Sequence, residues 1–118
     1  MPNNYSSTEQ GNVILADLLF SNQIGIKKRP ALVISNSLHN KTSEDIVVLK
    51  ITSTNKKTLF DVLVANKDLE FGELDKNSHI MVDFPVTIEK KQILRHLAKI
   101  TDSKLLEVKT KLKVFYGL

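Results

Sequence analysis

Three basic residues, Lys27, Lys28 and Arg29, stand directly before a short apolar run at residues 31–34. Pro30 lies between the basic residues and the apolar run. Because proline lacks an N–H and biases the residue before it towards an extended backbone, we expect Arg29 at the mouth of a strand. A guanidinium held at the rim of a sheet suits phosphate binding, since its planar fork can donate two parallel hydrogen bonds. The other interpretation of these residues is a solvated basic loop in front of a core strand.

Short apolar and β-branched runs recur along the chain, and the one after Pro30 is typical of a strand covered on both faces. They predict strands at residues 13–20, 31–35, 46–51, 59–64, 78–82 and 94–100. Two turn-prone stretches fall between residues 66 and 77, and a bulge or kink is expected near Pro85, because proline interrupts a central strand. Residues 89–93 are expected to form a single helical turn.

The end of the chain has the clearest helical pattern. One apolar stripe recurs at intervals of three and four residues, at Leu105, Val108, Leu112 and Phe115. Thr101 or Asp102 is a suitable N-cap, and Gly117 stands where a left-handed terminator is usual. Short strands with one terminal helix predict a fold that is mainly β with α additions, a small and mostly antiparallel barrel.

The composition is that of one soluble globular domain, with 118 residues, 42% hydrophobic and 25% charged. We expect a flexible N-terminal tail at residues 1–10 and a single domain at 11–118. The absence of cysteine excludes disulfides and thiolate chemistry. No apolar stretch approaches the roughly 20 residues that span a bilayer, and the polar start does not resemble a signal peptide, so a cytoplasmic protein without membrane contact is expected.

The net charge of +4 favours an anionic partner only mildly, but the placement of the basic residues is more informative. Clusters at 27–29, 56–57 and 90–91 fall in predicted loops, which could together form a basic rim at one end of the barrel. The lysines of the last helix interleave with apolar residues at helical spacing, which is typical of a solvated face.

Several sequence blocks, in order and spacing, closely resemble the PemK/MazF family of toxin endoribonucleases. They are Gly11 to Asp17, Arg29 to Ile34, and Lys50-Ile51-Thr52-Ser53, followed by 78–83, Pro85, Thr87-Ile88, 93–100 and the terminal helix. The resemblance implies an SH3-like barrel of the PemK/MazF/CcdB type and a homodimer. It also implies the toxin of a type II toxin–antitoxin system, an mRNA interferase that cuts single-stranded RNA without a metal or other cofactor and leaves a cyclic phosphate and a 5′-hydroxyl. The implied partner is a cognate antitoxin whose disordered acidic tail occupies the RNA groove, in a complex that binds DNA.

The resemblance also implies site residues. Arg29 and Thr52 match the arginine and threonine proposed to do the chemistry in well-studied members. Asp83 matches an aspartate that one branch uses as a general base, although Met81 stands where that branch has a catalytic arginine. Further RNA-binding or secondary candidates are Gln23, Lys27, Lys28, Ser53, Lys56 and His79.

Attack of a ribose 2′-hydroxyl on its own phosphate needs a base, a group that stabilises charge on the phosphorane oxygens, and a proton for the leaving oxygen. Arg29 suits the second role, but proton transfer is demanding for it because a guanidinium holds its proton tightly. Thr52 can donate a neutral hydrogen bond, although a strand-end threonine can equally bond the backbone. His39, His79 and His96 are candidates for the unassigned base. No spacing of histidines or carboxylates predicts a metal site.

Two other functions remain open at this point. One is a barrel toxin of the same fold that poisons a protein such as gyrase by contact and cleaves nothing. The other is a degenerate member that only binds nucleic acid or an antitoxin-like partner. The block from Arg29 to Ile34 together with Thr52 favours the nuclease.

Overall fold

The computed structural model describes residues 8–19, 26–53 and 58–118. Its strands are β1 (Asn12–Leu19), β2 (Ile26–Val33), β3 (Asp45–Thr52), β4 (Val62–Val64), β5 (Leu69–Gly72), β6 (Ser78–Glu89) and β7 (Ile93–Ile100). Its helices are α1 (Ser37–Thr42) and α2 (Asp102–Tyr116), with 3-10 turns at Asn66–Asp68 and Lys90–Gln92. No helix in the described ranges is long and apolar enough to cross a membrane.

The strands form one antiparallel sheet in the order β4-β6-β3-β2-β1-β7-β5, curled into a half-barrel. The predicted fold class is therefore confirmed. Helix α2 packs against β6 and β4. Its predicted boundaries are also confirmed, because Thr101 Oγ1 accepts a hydrogen bond from the Lys104 amide at 3.1 Å and Gly117 ends the helix with φ of 70°.

The central strands are buried on both faces, as the continuous apolar run after Pro30 predicts. Successive residues of a strand point to opposite faces, and here each face has its own core cluster. Val13 and Leu32 belong to the cluster that includes Val108 of α2, whereas their neighbours Ile14 and Val33 belong to the second cluster. Strands β1, β2 and β3 thus form a rigid centre between two apolar layers.

Several elements differ from the sequence-based predictions. Strand β5, predicted as turn, is a largely exposed edge strand of only four residues, and β6 continues through Pro85 to Glu89 rather than ending at residue 82. The expected irregularity near Pro85 does occur, as a register shift opposite β3 between Leu49 and Ile51. Helix α1 has only six residues and no apolar periodicity, but the Asn36 side chain caps it by accepting from the His39 amide at 2.8 Å.

The packed part of the chain also begins before the expected end of the tail. Thr8 is buried, and the Gln10 side chain donates a hydrogen bond to the carbonyl of Ile34 at 2.7 Å. Residues 8–10 thus lie against the sheet.

Gly72 is the position at which β5 approaches β7 most closely. With φ of +82°, a Cβ there would lie 2.1 Å from the backbone oxygen of Leu97. Gly117 has a similar φ of +70° but nothing within 4 Å. We predict that Gly117→Ala lowers the free energy of unfolding by about 1–2 kcal/mol, the ordinary cost of a left-handed alanine, and that Gly72→Ala lowers it by at least about 3 kcal/mol.

Urea denaturation of the two variants measures the difference, because both share the cost of the backbone conformation and only Gly72→Ala adds the collision with β7. Equal losses in the two variants would contradict the close approach of β5 to β7.

Candidate active-site groove

A groove of about 720 Å³ opens beside the end of strands β2 and β3. Five parts of the chain line it, at positions 15, 28–30, 51–53, 73–78 without 77, and 95–97. Three of these parts belong to the neighbouring strands β1, β2 and β3, and the other two are the segment after β5 and the middle of β7. The groove is therefore built on the rigid centre of the sheet and closed at its sides by more peripheral elements.

Arg29 and Thr52 reach this groove together because of the register between β2 and β3. Ala31 pairs with Lys50 in the antiparallel ladder. Arg29 lies two residues before Ala31 and Thr52 lies two residues after Lys50, so both fall at the same end of the ladder and share one face. Both residues line the groove and both are half-buried, and the Arg29 Nη1 donates to the carbonyl of Lys28 at 3.0 Å. Arg29 and Thr52 therefore lie in the same groove, whereas their roles in the chemistry stay a prediction.

The basic cluster at 27–29 lies within β2 rather than in a loop before it, because the strand begins at Ile26, before the apolar run. The other sequence candidates from this cluster and from the end of β3 divide into three groups. Lys28 and Ser53 line the groove. Lys27 is exposed on β2 and is absent from the groove lining in the described part of the chain. Gln23 and Lys56 lie outside the described residues.

His79 does not serve the groove, which corrects the expectation that it could face it. Its side chain is only 4% exposed, and its Nε2 lies 3.3 Å from Oδ2 of Asp61. Asp61 in turn accepts hydrogen bonds from the Thr58 amide at 3.2 Å and the Thr58 hydroxyl at 3.0 Å. The histidine therefore ties β6 to the turn that precedes β4, which is a structural role.

Asp83 and His39 also lie away from the groove lining of the described residues. Asp83 is half-buried on β6, and its Oδ1 is buried without a hydrogen-bond partner. His39 is exposed on helix α1. Among the three histidines, only His96 lines the groove.

Strand β7 supplies two groove residues that sequence reasoning did not place there, Arg95 and His96. Strand β1 lies between β2 and β7 and places these two residues near the groove, because Leu15 pairs with Pro30 on one side and with Arg95 on the other. Two strand spacings, or about 10 Å, therefore separate the backbones of Pro30 and Arg95. No local motif marks this placement, since it depends on pairing between segments about 80 residues apart in the sequence.

His96 is half-buried and held in place by the N-terminal segment. Its Nε2 lies 3.1 Å from Oγ1 of Thr8, which is itself buried. Burial lowers the pKa of His96 below its ordinary value of 6.5, because desolvation disfavours the charged imidazolium. The ring is therefore neutral at neutral pH and carries one donor and one acceptor nitrogen.

The charges of the groove favour an anionic ligand. Four cationic side chains line it, from Lys28, Arg29, Lys76 and Arg95, against two carboxylates, from Glu73 and Asp75. A cleft with an excess of one sign concentrates ligands of the opposite charge. No group of three or more potential metal ligands occurs among the residues that the structure describes.

Comparisons with known proteins find relatives over nearly the whole chain. The sequence profile of the PemK-like, MazF-like toxins of type II toxin–antitoxin systems matches residues 9–116. The endoribonuclease MazF of Staphylococcus epidermidis is 33% identical over 112 residues, which cover 92% of this chain and 91% of that protein.

Two solved structures share the fold. An endoribonuclease in complex with its cognate antitoxin from Mycobacterial species has a TM-score of 0.77 at 22% identity, over 94% of this chain and 96% of that chain. MazF from Deinococcus radiodurans has a TM-score of 0.72 at 23% identity, over 94% of this chain and 97% of that chain.

The structural role of His79 predicts a loss of stability when its partner is removed. Asp61→Ala removes the carboxylate that lies 3.3 Å from the buried imidazole and the acceptor of the two Thr58 donors, so we expect the free energy of unfolding to fall by about 1–3 kcal/mol. Asp45→Ala, on an exposed aspartate of β3, is the matched control and should change stability by less than about 0.5 kcal/mol. Urea denaturation followed by circular dichroism measures both, and similar midpoints for the two variants would refute the role assigned to the pair.

Proposed function

This chain belongs to the PemK-like, MazF-like toxins of type II toxin–antitoxin systems, and on that premise we propose that its groove cuts single-stranded RNA without a metal. The observation that carries the proposal is the meeting of Arg29 and Thr52 in one cation-rich groove. The name of the Staphylococcus epidermidis relative, an endoribonuclease, supports the same activity. The reaction is attack of a ribose 2′-hydroxyl on the adjacent phosphorus, which yields a 2′,3′-cyclic phosphate and a new 5′-hydroxyl end.

Each of the two residues has a distinct part in this step. The Arg29 guanidinium binds non-bridging phosphate oxygens and stabilises the charge that grows on them in the phosphorane, because it stays cationic and can donate two hydrogen bonds at once. The Thr52 hydroxyl donates a further hydrogen bond to the same oxygens. A strained, charge-rich phosphorane gains more from these donors than the ground-state phosphodiester does, which is what lowers the barrier.

Other cationic side chains of the groove position the strand rather than react with it. Lys28, Lys76 and Arg95 bind phosphates on either side of the scissile one, because contacts with phosphates fix the register of a nucleic acid without reading its sequence. Ser53 offers a hydrogen bond to a splayed base or ribose. Lys27, Gln23 and Lys56 remain candidates for further RNA contacts.

The protein acts as a homodimer in the cytoplasm, where its RNA substrate is found. Open sheet edges and exposed apolar side chains support a dimer, since a second copy of the chain could cover both. Among the exposed apolar side chains are Leu63 of β4 and Leu106 and Val114 of α2.

A cognate antitoxin inhibits the toxin by laying a disordered acidic tail in the groove, and the complex binds DNA. The mycobacterial structure, which contains a cognate antitoxin, supports such a partner. The excess of cationic groove residues gives the physical reason, because an acidic segment and an RNA strand compete for the same charges.

Incubation of the purified toxin with a long RNA in EDTA, followed by mapping of 5′-hydroxyl ends, tests the activity. We predict discrete cleavage sites for the wild type and a loss of about 10²–10³-fold in cleavage rate for Arg29→Ala. Arg29→Lys should fall between the two, since it keeps the charge and loses the fork. Thr52→Val, which keeps the shape and removes the hydroxyl, should lose less than Arg29→Ala. Intact RNA over many sequences, with growth arrest retained, would instead favour a toxin that poisons a protein such as gyrase.

A second measurement tests the positioning role of Arg95. We predict that Arg95→Ala weakens binding to a 2′-O-methyl RNA, which cannot be cleaved, and makes the plot of log affinity against log salt shallower by about 0.7, because one phosphate contact is lost. Lys109→Ala, on an exposed position of α2, removes the same charge away from the groove and serves as the control. Identical salt dependence in the two variants would refute the contact.

A further inference from the structure

We infer that His96 is the general base that accepts the proton of the attacking 2′-hydroxyl, an inference that rests on the proposed ribonuclease function. Neither Arg29 nor Thr52 suits that part of the reaction, because a guanidinium at neutral pH has no lone pair to offer and a hydroxyl is a weak base. A histidine in the same groove supplies what the pair lacks.

Only one of the three histidines has access to the groove. His39 is exposed on α1, and the His79 ring is buried against Asp61. His96 lines the groove together with Arg29 and Thr52. Asp83, the other candidate for a base, does not line it in the described part of the chain.

The position of His96 in the sheet suits a group that acts on the substrate from the side opposite Arg29. His96 pairs with Ile14, and Ile14 also pairs with Ala31 of β2. The backbone of His96 is therefore two strand spacings, or about 10 Å, from the strand that carries Arg29. That width accommodates a phosphodiester, with the long arginine side chain reaching from one wall and the imidazole from the other.

We assign the proton-accepting role to Nδ1 of His96, because Nε2 is engaged by Thr8. In the reactive tautomer, Nε2–H donates to Oγ1 of Thr8, across the 3.1 Å contact, and the lone pair of Nδ1 remains for the 2′-hydroxyl. The lowered pKa of His96 keeps this nitrogen unprotonated at neutral pH. Thr8 is thus a positioning residue that orients the ring.

The charged residues that share the groove act on His96 in opposite directions. Cations disfavour the imidazolium form of His96, and carboxylates favour it. The cations are Lys28, Arg29, Lys76 and Arg95, and the carboxylates are Glu73 and Asp75.

The proton balance of the step is complete. The 2′-oxygen forms its bond to phosphorus as Nδ1 takes the hydroxyl proton, the bond from phosphorus to the 5′-oxygen breaks, and that oxygen takes a proton from water. The resulting hydroxide receives the proton of the imidazolium, so the base is regenerated.

The decisive variant is His96→Gln, whose side-chain amide can still donate to Thr8 but does not titrate. For the wild type, log kcat/KM should rise with a slope of one up to the pKa of His96 and then level off. For His96→Gln, kcat should fall by about 10²–10⁴-fold with KM changed less than about threefold, and the acidic limb should disappear. His39→Gln, which alters a histidine outside the groove, should keep the wild-type rate and profile.

A substrate with a 5′-bridging sulfur separates the role of base from that of acid. Because a thiolate leaves without protonation, His96→Gln should remain as slow relative to the wild type with this substrate as with ordinary RNA. Recovery of the rate would show that His96 protonates the leaving group, which would overturn its assignment as the base. Nitrogen NMR of the wild type offers a measurement that needs no substitution, and it should detect the Nε2–H tautomer of His96 at neutral pH. A wild-type-like pH profile for folded His96→Gln, or an Nδ1–H tautomer, would overturn the assignment.

The outcomes distinguish this inference from the proposed function. If the wild type cleaves RNA and His96→Gln cleaves it equally well, only the base assignment fails. If Glu73→Gln or Asp75→Asn removes the acidic limb instead, the base is a carboxylate and the assignment to His96 again fails alone. If the wild type cuts no RNA in EDTA, the ribonuclease function itself fails, and the base assignment fails with it.

Discussion

The pairing of β2 with β3 in a single register is the constraint on which the site depends. A slip of one residue would move every side chain of a strand to the opposite face of the sheet. Here such a slip would remove apolar side chains from the core on both faces of the sheet. Leu32 and Leu49 belong to one core cluster, and Val33 and Val48 belong to the other. Burial on two faces therefore holds Arg29 and Thr52 at the same end of the ladder, although neither residue contributes to the core.

Strand β1 connects β2 to β7, which forms another wall of the groove. It pairs with β2 on one edge and with β7 on the other, and its ladder with β7 contains two irregularities, between Val13 and Ile14 and between Leu15 and Ala16. Bulges of this kind re-aim side chains beside functional sites. The acidic wall at 73–75 depends on a different contact, since Gly72 lets β5 approach the backbone of β7 before the chain turns into the groove. The wall formed by β7 therefore depends on its pairing with β1, whereas the wall at 73–75 depends on the close approach of β5 to β7 at Gly72.

Two ionisable groups, Lys50 in the sheet and His96 in the groove, lose solvation on folding. Lys50 is 4% exposed, with its Nζ 3.9 Å from the centre of the Phe84 ring, and burial lowers its pKa. The pKa of His96 is also lowered by burial, so in both cases the unfolded chain binds the proton more tightly than the folded chain. As far as His96 is concerned, the free energy of unfolding is therefore highest above the unfolded pKa of about 6.5 and decreases as the pH falls through the interval below it.

The sequence by itself determined the fold class, the two-sided burial of the central strands and the limits of the last helix. These features have local signals, because apolar runs and capping residues are recognised within a few positions. The choice of Arg29 and Thr52 as a pair came instead from the resemblance to a toxin family. That resemblance rested on the order of several sequence blocks. Elements as short as β5, with four residues, and α1, with six, contain too few residues to show a period.

Only the tertiary structure decided which histidine belongs to the groove. The sequence offered His39, His79 and His96 as possible bases and favoured His79 for the groove. The structure selects His96 instead, through the pairing of β1 with β7 and the burial of His79 against Asp61. Arg95 and the segment from Glu73 to Lys76 enter the groove for the same reason. Contacts between segments that are distant in the chain leave no local pattern, because they are selected by the packing of the whole sheet rather than by the residues beside them.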